Sequence, residues 1–236
     1  PFSGIFDTYL VPNTDASFSK RYVQLSRCIK MVYASIYSNE SRSYFEAINL
    51  KIEEEKMGVV IQEVVGNVHG DYFYPHVSGT AQSHNYYPVA HMEPEDGYAL
   101  AALGLGHYVV NGERSYRFSP VYPTLEVNSA QKLFKDSQVE FLALDMTKGD
   151  VDFVNEGSDA NLVRLPISHA EKDGVLSHLA SVYDADNDRI QPGLATPGPR
   201  ILNFADILKY DYTPLAKTIR VILEVGKEAL GSPVEI

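Results

Sequence analysis

Apolar residues recur along this chain with two different periods. Phe18, Tyr22, Leu25, Ile29, Val32 and Ile36 follow one another in steps of three and four. They predict a helix with one apolar stripe, capped at Asp15 or Ser17. Upstream, Phe2, Ile5, Phe6, Tyr9 and Leu10 stop at Pro12, which predicts a short strand or turn. Asn39 or Ser41 opens a second predicted helix with Tyr44, Phe45 and Ile48 inward, followed by a charged patch from Lys51 to Lys56. The period then changes. Gly58–Val65 is β-branched and nearly continuous, the signature of a strand covered on both faces. Gly66-Asn67 and Gly70-Asp71 are turn signals, and Tyr72–Val77 is a second expected strand, ending at a Ser78-Gly79-Thr80 turn. Tyr98–Leu103 and His107–Val110 read as strands flanking Gly104-Leu105-Gly106. Arg114–Phe118 alternates charged and aromatic residues, as an exposed edge strand does.

Beyond Thr124 the periodicity weakens. Val139, Phe141 and Ala143 alternate, Val175–Tyr183 reads as a strand, and Ser129–Phe134 as one short helix. Gln191–Arg200 carries too much proline and glycine for a regular element and reads as a linker. Thr213-Pro214 then starts a helix lined by Leu215, Ile219, Ile222, Leu223 and Leu230 that stops at Gly231. Val234 and Ile236 begin a strand-like alternation. With Pro1 in place of an initiator methionine, the expectation is a piece of a longer polypeptide. The fold class is α+β, with a mixed or antiparallel sheet, packed helices and an inserted β-rich region.

Composition narrows the classes of function. The chain has 236 residues, a net charge of −11, 44% hydrophobic residues and a pI near 5.0, which describes a folded acidic protein and disfavours a nucleic-acid surface. No apolar run reaches membrane-spanning length and no signal peptide is visible, so a cytoplasmic protein is expected. Cys28 stands alone on the apolar face of the first predicted helix and reads as a buried, inert thiol.

Several chemistries find little support. After Gly104 and Gly106 the next glycine is Gly112, too far on for a dinucleotide fingerprint, and the segment between is β-branched. No phosphate-loop lysine follows a glycine-rich turn. The seven histidines form no i, i+4 pair and have no cysteine partners, so no metal site is expected. Ser3-Gly4 and Ser78-Gly79 lack a nucleophile elbow. What remains is a nucleotide held by main-chain groups. Adenine's N1 and N6 edge matches one N–H and one C=O of an exposed strand, which Ile61–Val65 could supply, with Gln62 or Glu63 adding an acceptor. An internal strand with two polar residues facing water explains the same stretch equally well.

Five segments, in order, carry a resemblance. PFSGIFDTYL, MGVVIQEVV, SGTAQSHN, GLGHYVVNGERSYRFSP and EVGKEALGSPVEI are similar to successive pieces of the nucleotide-binding half of the phosphoenolpyruvate synthase and pyruvate phosphate dikinase family. The similarity covers roughly residues 1–123 and the last 25 or so. It implies an ATP-grasp-like core over 1–123, an inserted or flanking region over 124–200, and a return to the core over 201–236. It further implies MgATP as cofactor and phosphorylation of pyruvate through a phosphohistidine on a separate swivelling domain. That domain and a pyruvate-binding domain of the same polypeptide would be the partners. By the resemblance, Gln62, Glu63, Val64 and Val65 would read adenine. Gly104, Gly106, His107, Tyr108 and Val110 would lie along the ribose and base, and Gly79, Thr80, Ser83 and His84 would approach the phosphates. His84 and Asn85 replace an arginine–aspartate pair of the family, and His107 a glutamate. Leu100 falls at another glutamate position. Catalytic groups and Mg²⁺ ligands are expected outside this stretch of chain, which alone should be inactive. A nucleotide-sensing module without chemistry, or a dikinase with another acceptor, is the alternative.

Overall fold

A computed structural model describes residues 4–236. The short strand or turn expected at residues 1–12 lies partly outside these; the described part, from Gly4 on, holds a turn and then irregular chain. Two helices come first, α1 (Phe18–Ser35) and α2 (Asn39–Ala47). A hairpin follows, β1 (Asn67–His69) and β2 (Tyr72–Tyr74), and then β3 (Ser78–Gln82), β4 (Tyr98–Ala102), the short helix α3 (His107–Val110) and β5 (Tyr116–Phe118). The middle of the chain holds α4 (Ala130–Asp136), β6 (Glu140–Asp145), α5 (Phe153–Glu156), β7 (Leu162–Pro166) and α6 (Ile167–Lys172). The rest is β8 (Ala180–Asp184), β9 (Arg189–Gln191), β10 (Arg200–Leu202), α7 (Ala205–Leu208) and α8 (Leu215–Leu230). The architecture is α+β, and β1–β2, β2–β6, β3–β4, β4–β5, β8–β9 and β8–β10 all pair antiparallel.

The chain forms two compact units that interleave in sequence. One takes residues up to Tyr74 together with Ala143–Val163, and the other takes Pro75–Leu142 together with Arg164–Ile236. Residues 124–200 therefore contribute to both. They also hold helices α4, α5 and α6, so the expected β-rich character is corrected to mixed.

In the first unit α1 is built as its periodicity predicts, but its stripe is not uniformly buried. Cys28 and Ser35 are buried, whereas Phe18 and Tyr22 are 72% and 62% exposed. Cys28 packs with Val151 and Phe153, and burial pushes its thiol above the ordinary range, so it is the inert core residue expected. Ser38 caps α2 by accepting from the Ser41 amide at 3.1 Å. The β1–β2 hairpin closes on Gly70-Asp71, where Gly70 takes φ +60. The expected strand Gly58–Val65 does not form. The segment has no regular secondary structure, pairs with no strand among the described residues, and leaves Val60, Ile61 and Val65 at 79%, 61% and 85% exposure. A β-branched run becomes a buried strand only where neighbouring strands and covering layers receive it.

The second unit is organised around two antiparallel sheets, β3-β4-β5 and β10-β8-β9. Gly79 sits in β3, so the turn expected at Ser78-Gly79-Thr80 is a strand. His107–Val110 is helical rather than extended. Val175–His178 is a 3-10 turn, and only Ala180–Asp184 of that expected strand is β. α8 runs to Gly231, whose φ of +63 closes the helix as expected. Leu223 is its buried anchor, while Ile222 and Leu230 are exposed. After α8 the chain returns along the free side of β3. The Ala81 and Ile236 main chains exchange two 2.9 Å bonds, and the Ser83 amide donates to Val234 at 2.9 Å. The alternation at Val234 and Ile236 thus ends in a bridge to β3. No helix among the described residues is long and apolar enough to cross a membrane.

Candidate nucleotide site

β4 is the centre of the candidate site in the second unit. Its Ala99, Ala101 and Ala102 are buried, and small side chains let β3 and β5 lie close on either side. The approach is tightest at Gly79, where a Cβ would fall 1.9 Å from the Leu100 carbonyl oxygen. At its end β4 is pinned by Gln138, which is 2% exposed. Its side chain accepts from the Leu103 amide and donates to the Leu103 carbonyl, both at 2.9 Å. The chain then reverses at Gly104, with φ +89 and no room for a side chain. A Cβ would lie 2.6 Å from the Leu142 oxygen and 2.9 Å from the Phe141 ring.

Gly106 is different. It takes an ordinary φ of −60 and starts α3, and a Cβ there would meet nothing closer than Ser78 Cβ at 3.9 Å. Gly104, Gly106 and the start of α3 are therefore brought beside the beginning of β3, where Gly79 and Thr80 lie. Within α3, His107 is half-buried and Val110 exposed, but Tyr108 is 2% exposed. Burial, and then the Glu113 and Glu140 carboxylates, push the Tyr108 phenol above its ordinary range. Its side chain belongs to the core, and its main chain is engaged as well: the N–H donates to Leu105 at 3.1 Å and the carbonyl accepts from the Glu113 amide at 3.2 Å. Arg164 bridges Glu113 and Glu140 and fixes the turn that follows α3; the Glu113 carboxyl is held below the usual range by its bond to Arg164.

At the other end of β3, Ser83 is buried and its hydroxyl accepts from the Val234 amide at 2.9 Å, so it is committed to the returning chain. His84 stands edge-on to Tyr86, with ring centroids 4.6 Å apart. Asn85, 2% exposed, accepts from the Arg117 guanidinium at 2.8 Å and from the Tyr87 amide at 3.1 Å. Arg117 lies over the Tyr98 ring at 3.9 Å. Sequence reasoning missed this Arg117–Asn85–Tyr98 group. The alternation of charged and aromatic residues in β5 was its only sign.

Gln62, Glu63, Val64 and Val65 belong to the first unit, in the exposed irregular segment already described. Among the described residues no cluster of three or more His, Cys, Asp or Glu is placed to hold a metal ion. The helical state of His107–Val110 removes one argument against a dinucleotide fingerprint, but the spacing to Gly112 still opposes it.

The family profile described as the pyruvate phosphate dikinase AMP/ATP-binding domain matches residues 1–191. The match runs through the middle region, which the five similar segments leave uncovered, and ends before α8. No curated protein and no solved structure matches the chain.

Proposed function

Since the chain belongs to the pyruvate phosphate dikinase AMP/ATP-binding domain family, we propose that it grips ATP with main-chain groups at the mouth of the β3-β4-β5 sheet. The fold proposed is ATP-grasp-like. The observation that carries the reading is the turn at the end of β4, where Gly104 makes the reversal and Gly106 leaves the start of α3 uncovered beside β3. The Gly104 and Leu105 amides donate within the fold, to Pro75 at 3.2 Å and Leu142 at 2.8 Å, so the successive N–H groups that the turn holds for phosphate or ribose oxygens are those of Gly106 and His107.

In this reading the chain's contribution is positional. Gly79, Thr80 and His84 approach the phosphates, and His107 and Val110 lie along the sugar. The parent activity proposed is an ATP-dependent phosphotransfer to pyruvate, relayed by a phosphohistidine on another domain in the cytoplasm. Mg²⁺ bound with the triphosphate supplies charge neutralisation in such reactions. The described residues offer no cluster to hold the ion, and no step is assigned to it.

The test is calorimetric titration of the protein with ATP and Mg²⁺, before and after Gly106→Val. The site has open space around Gly106, so the variant should fold normally and lose at least about tenfold in affinity, roughly 1.4 kcal/mol. Equal affinity in the two proteins sinks the placement. One observation favours a second reading, nucleotide sensing without chemistry. Asn85, at the position of the family's aspartate, is buried and engaged by Arg117, so it cannot serve the phosphates. ATP binding by the parent protein with no phosphohistidine formed decides for that reading.

A further inference from the structure

Away from the candidate nucleotide site, the second unit has a cavity of about 300 Å³ between α4, the β8–β9 pair and α7. Its volume is in the range of a small-molecule pocket. Leu133, Ile190 and Pro192 give it apolar walls, and Asn203, Arg189 and Lys209 are among its polar lining.

Asn203 is the unusual member. It is 5% exposed, and its Oδ1 accepts from the Ser181 hydroxyl at 3.0 Å and from the Ala205 amide at 3.4 Å. A backbone N–H can only donate, so the amide orientation is fixed with oxygen toward Ala205. That leaves the Nδ2 group, two strong donors on a buried side chain, with no partner among the described residues. The group stands at the wall of the cavity, where an acceptor inside the cavity can take it. Arg189 stands at the cavity's mouth, its side chain 63% exposed. Its Nε is held by Asp184 at 3.1 Å, and its terminal nitrogens have no partner among the described residues. Hydrogen bonds, first from Asn187 and then from Gln191 and Arg189, hold the Asp184 carboxyl at about 2, so this anchor stays charged. Lys209 is already paired with Glu126. The cavity thus offers an apolar body, one buried amide donor and one guanidinium fork, which matches a carboxylate in plane and charge.

We propose that this cavity binds a small organic carboxylate, with its apolar body against Leu133, Ile190 and Pro192 and its acceptors taken by Asn203 and Arg189. The site is separate from the β4 turn and does not depend on how that turn is used.

Benzoate is the probe, titrated into the whole chain by calorimetry, with inorganic phosphate as the counterpart anion. Saturable benzoate binding is expected, weakened at least about tenfold by Arg189→Gln and by Asn203→Asp, which keeps the acceptor oxygen and removes the donor. Circular dichroism checks that both variants fold. If Asn203→Asp does not fold, Arg189→Gln decides alone. Three results overturn the proposal: no saturable benzoate binding, affinity unchanged in Arg189→Gln, or phosphate binding as tightly as benzoate. In the last case the cavity reads charge alone.

Discussion

Met57–Gly66 and Tyr98–Gly106 are both apolar runs leading into glycine, and their outcomes are opposite. The first is rich in valine and isoleucine, the strongest strand formers, yet remains unpaired and largely exposed. The second is rich in alanine, a weak strand former, yet becomes the central strand β4, with Ala99, Ala101 and Ala102 buried. Intrinsic preference would have ranked them the other way. Cross-strand partners decide: β4 has β3 on one side and β5 on the other, and its small side chains permit the close approach at Gly79. The difference bears on function as well. One stretch offers a rigid turn and the other an unpaired backbone, two separate ways of presenting main-chain groups to a ligand.

The comparison breaks most visibly at the glycines. Gly104→Ala should cost about 4 kcal/mol or more, because the position combines a φ of +89 with a Cβ placed 2.6 Å from the Leu142 oxygen. Gly58→Ala, with nothing within 4 Å, should stay within about 0.5 kcal/mol of the parent. Urea unfolding of the two variants measures both. A Gly104→Ala protein as stable as the parent would show that the turn is not rigid. Next in size is Gln138→Leu. It strips both partners from the Leu103 main chain in the core and should cost about 2–3 kcal/mol on the same scale.

What could be read in advance divides along the same line. α1 and α8 were legible because a helix is made from neighbours in sequence, and a stripe of three- and four-residue steps needs no distant partner. The depth of burial was not legible: Phe18, Tyr22 and Leu230 fit the stripes and remain exposed. β4 and β5 were recognised, yet the signal at Gly58–Val65 was stronger and misled, because what a strand pairs with is not written in the strand. His107–Val110 misled for a local reason. Four residues after a glycine turn are too few for β-branching to outweigh the turn's own geometry. Among candidate site residues, Gly104 and Gly106 fall at one turn as expected. Ser83 and Tyr108 carry duties that only the fold reveals, one tied to Val234 and one to the core. Asn203 gave no sign at all, since its significance lies in Ser181 and Ala205 consuming one side of its amide.

A smaller effect separates the two stretches by pH. The Glu113 carboxyl, beside the end of α3, is held below its ordinary range chiefly by the Arg164 hydrogen bond. A depressed folded-state value stabilises above the unfolded carboxylate range, about pH 4–5, and the contribution is lost as pH falls through the folded value. Arg164→Gln should therefore be slightly less stable than the parent at pH 7, by no more than about 1 kcal/mol for so exposed a pair, with the gap closing in acid. Chemical denaturation at neutral and acid pH checks this. A gap that persists unchanged in acid would mean that Arg164 acts by packing rather than by charge.

The smallest expected change in stability carries the sharpest functional test. Val65 is 85% exposed and in no strand, so Val65→Pro removes a backbone N–H with no partner among the described residues, and unfolding should shift by less than about 0.5 kcal/mol. If that N–H is the donor that adenine meets, ATP affinity should fall by the worth of one hydrogen bond, about 1 kcal/mol or roughly five- to tenfold. Moving the proline through Gln62, Glu63 and Val64 in turn should find one position that matters more than its neighbours, because a base edge uses a single N–H. Equal affinity across all four variants would show that adenine does not use this segment. A large loss of stability at any of them would show instead that the segment is held by other parts of the chain, and that its contrast with β4 is one of degree.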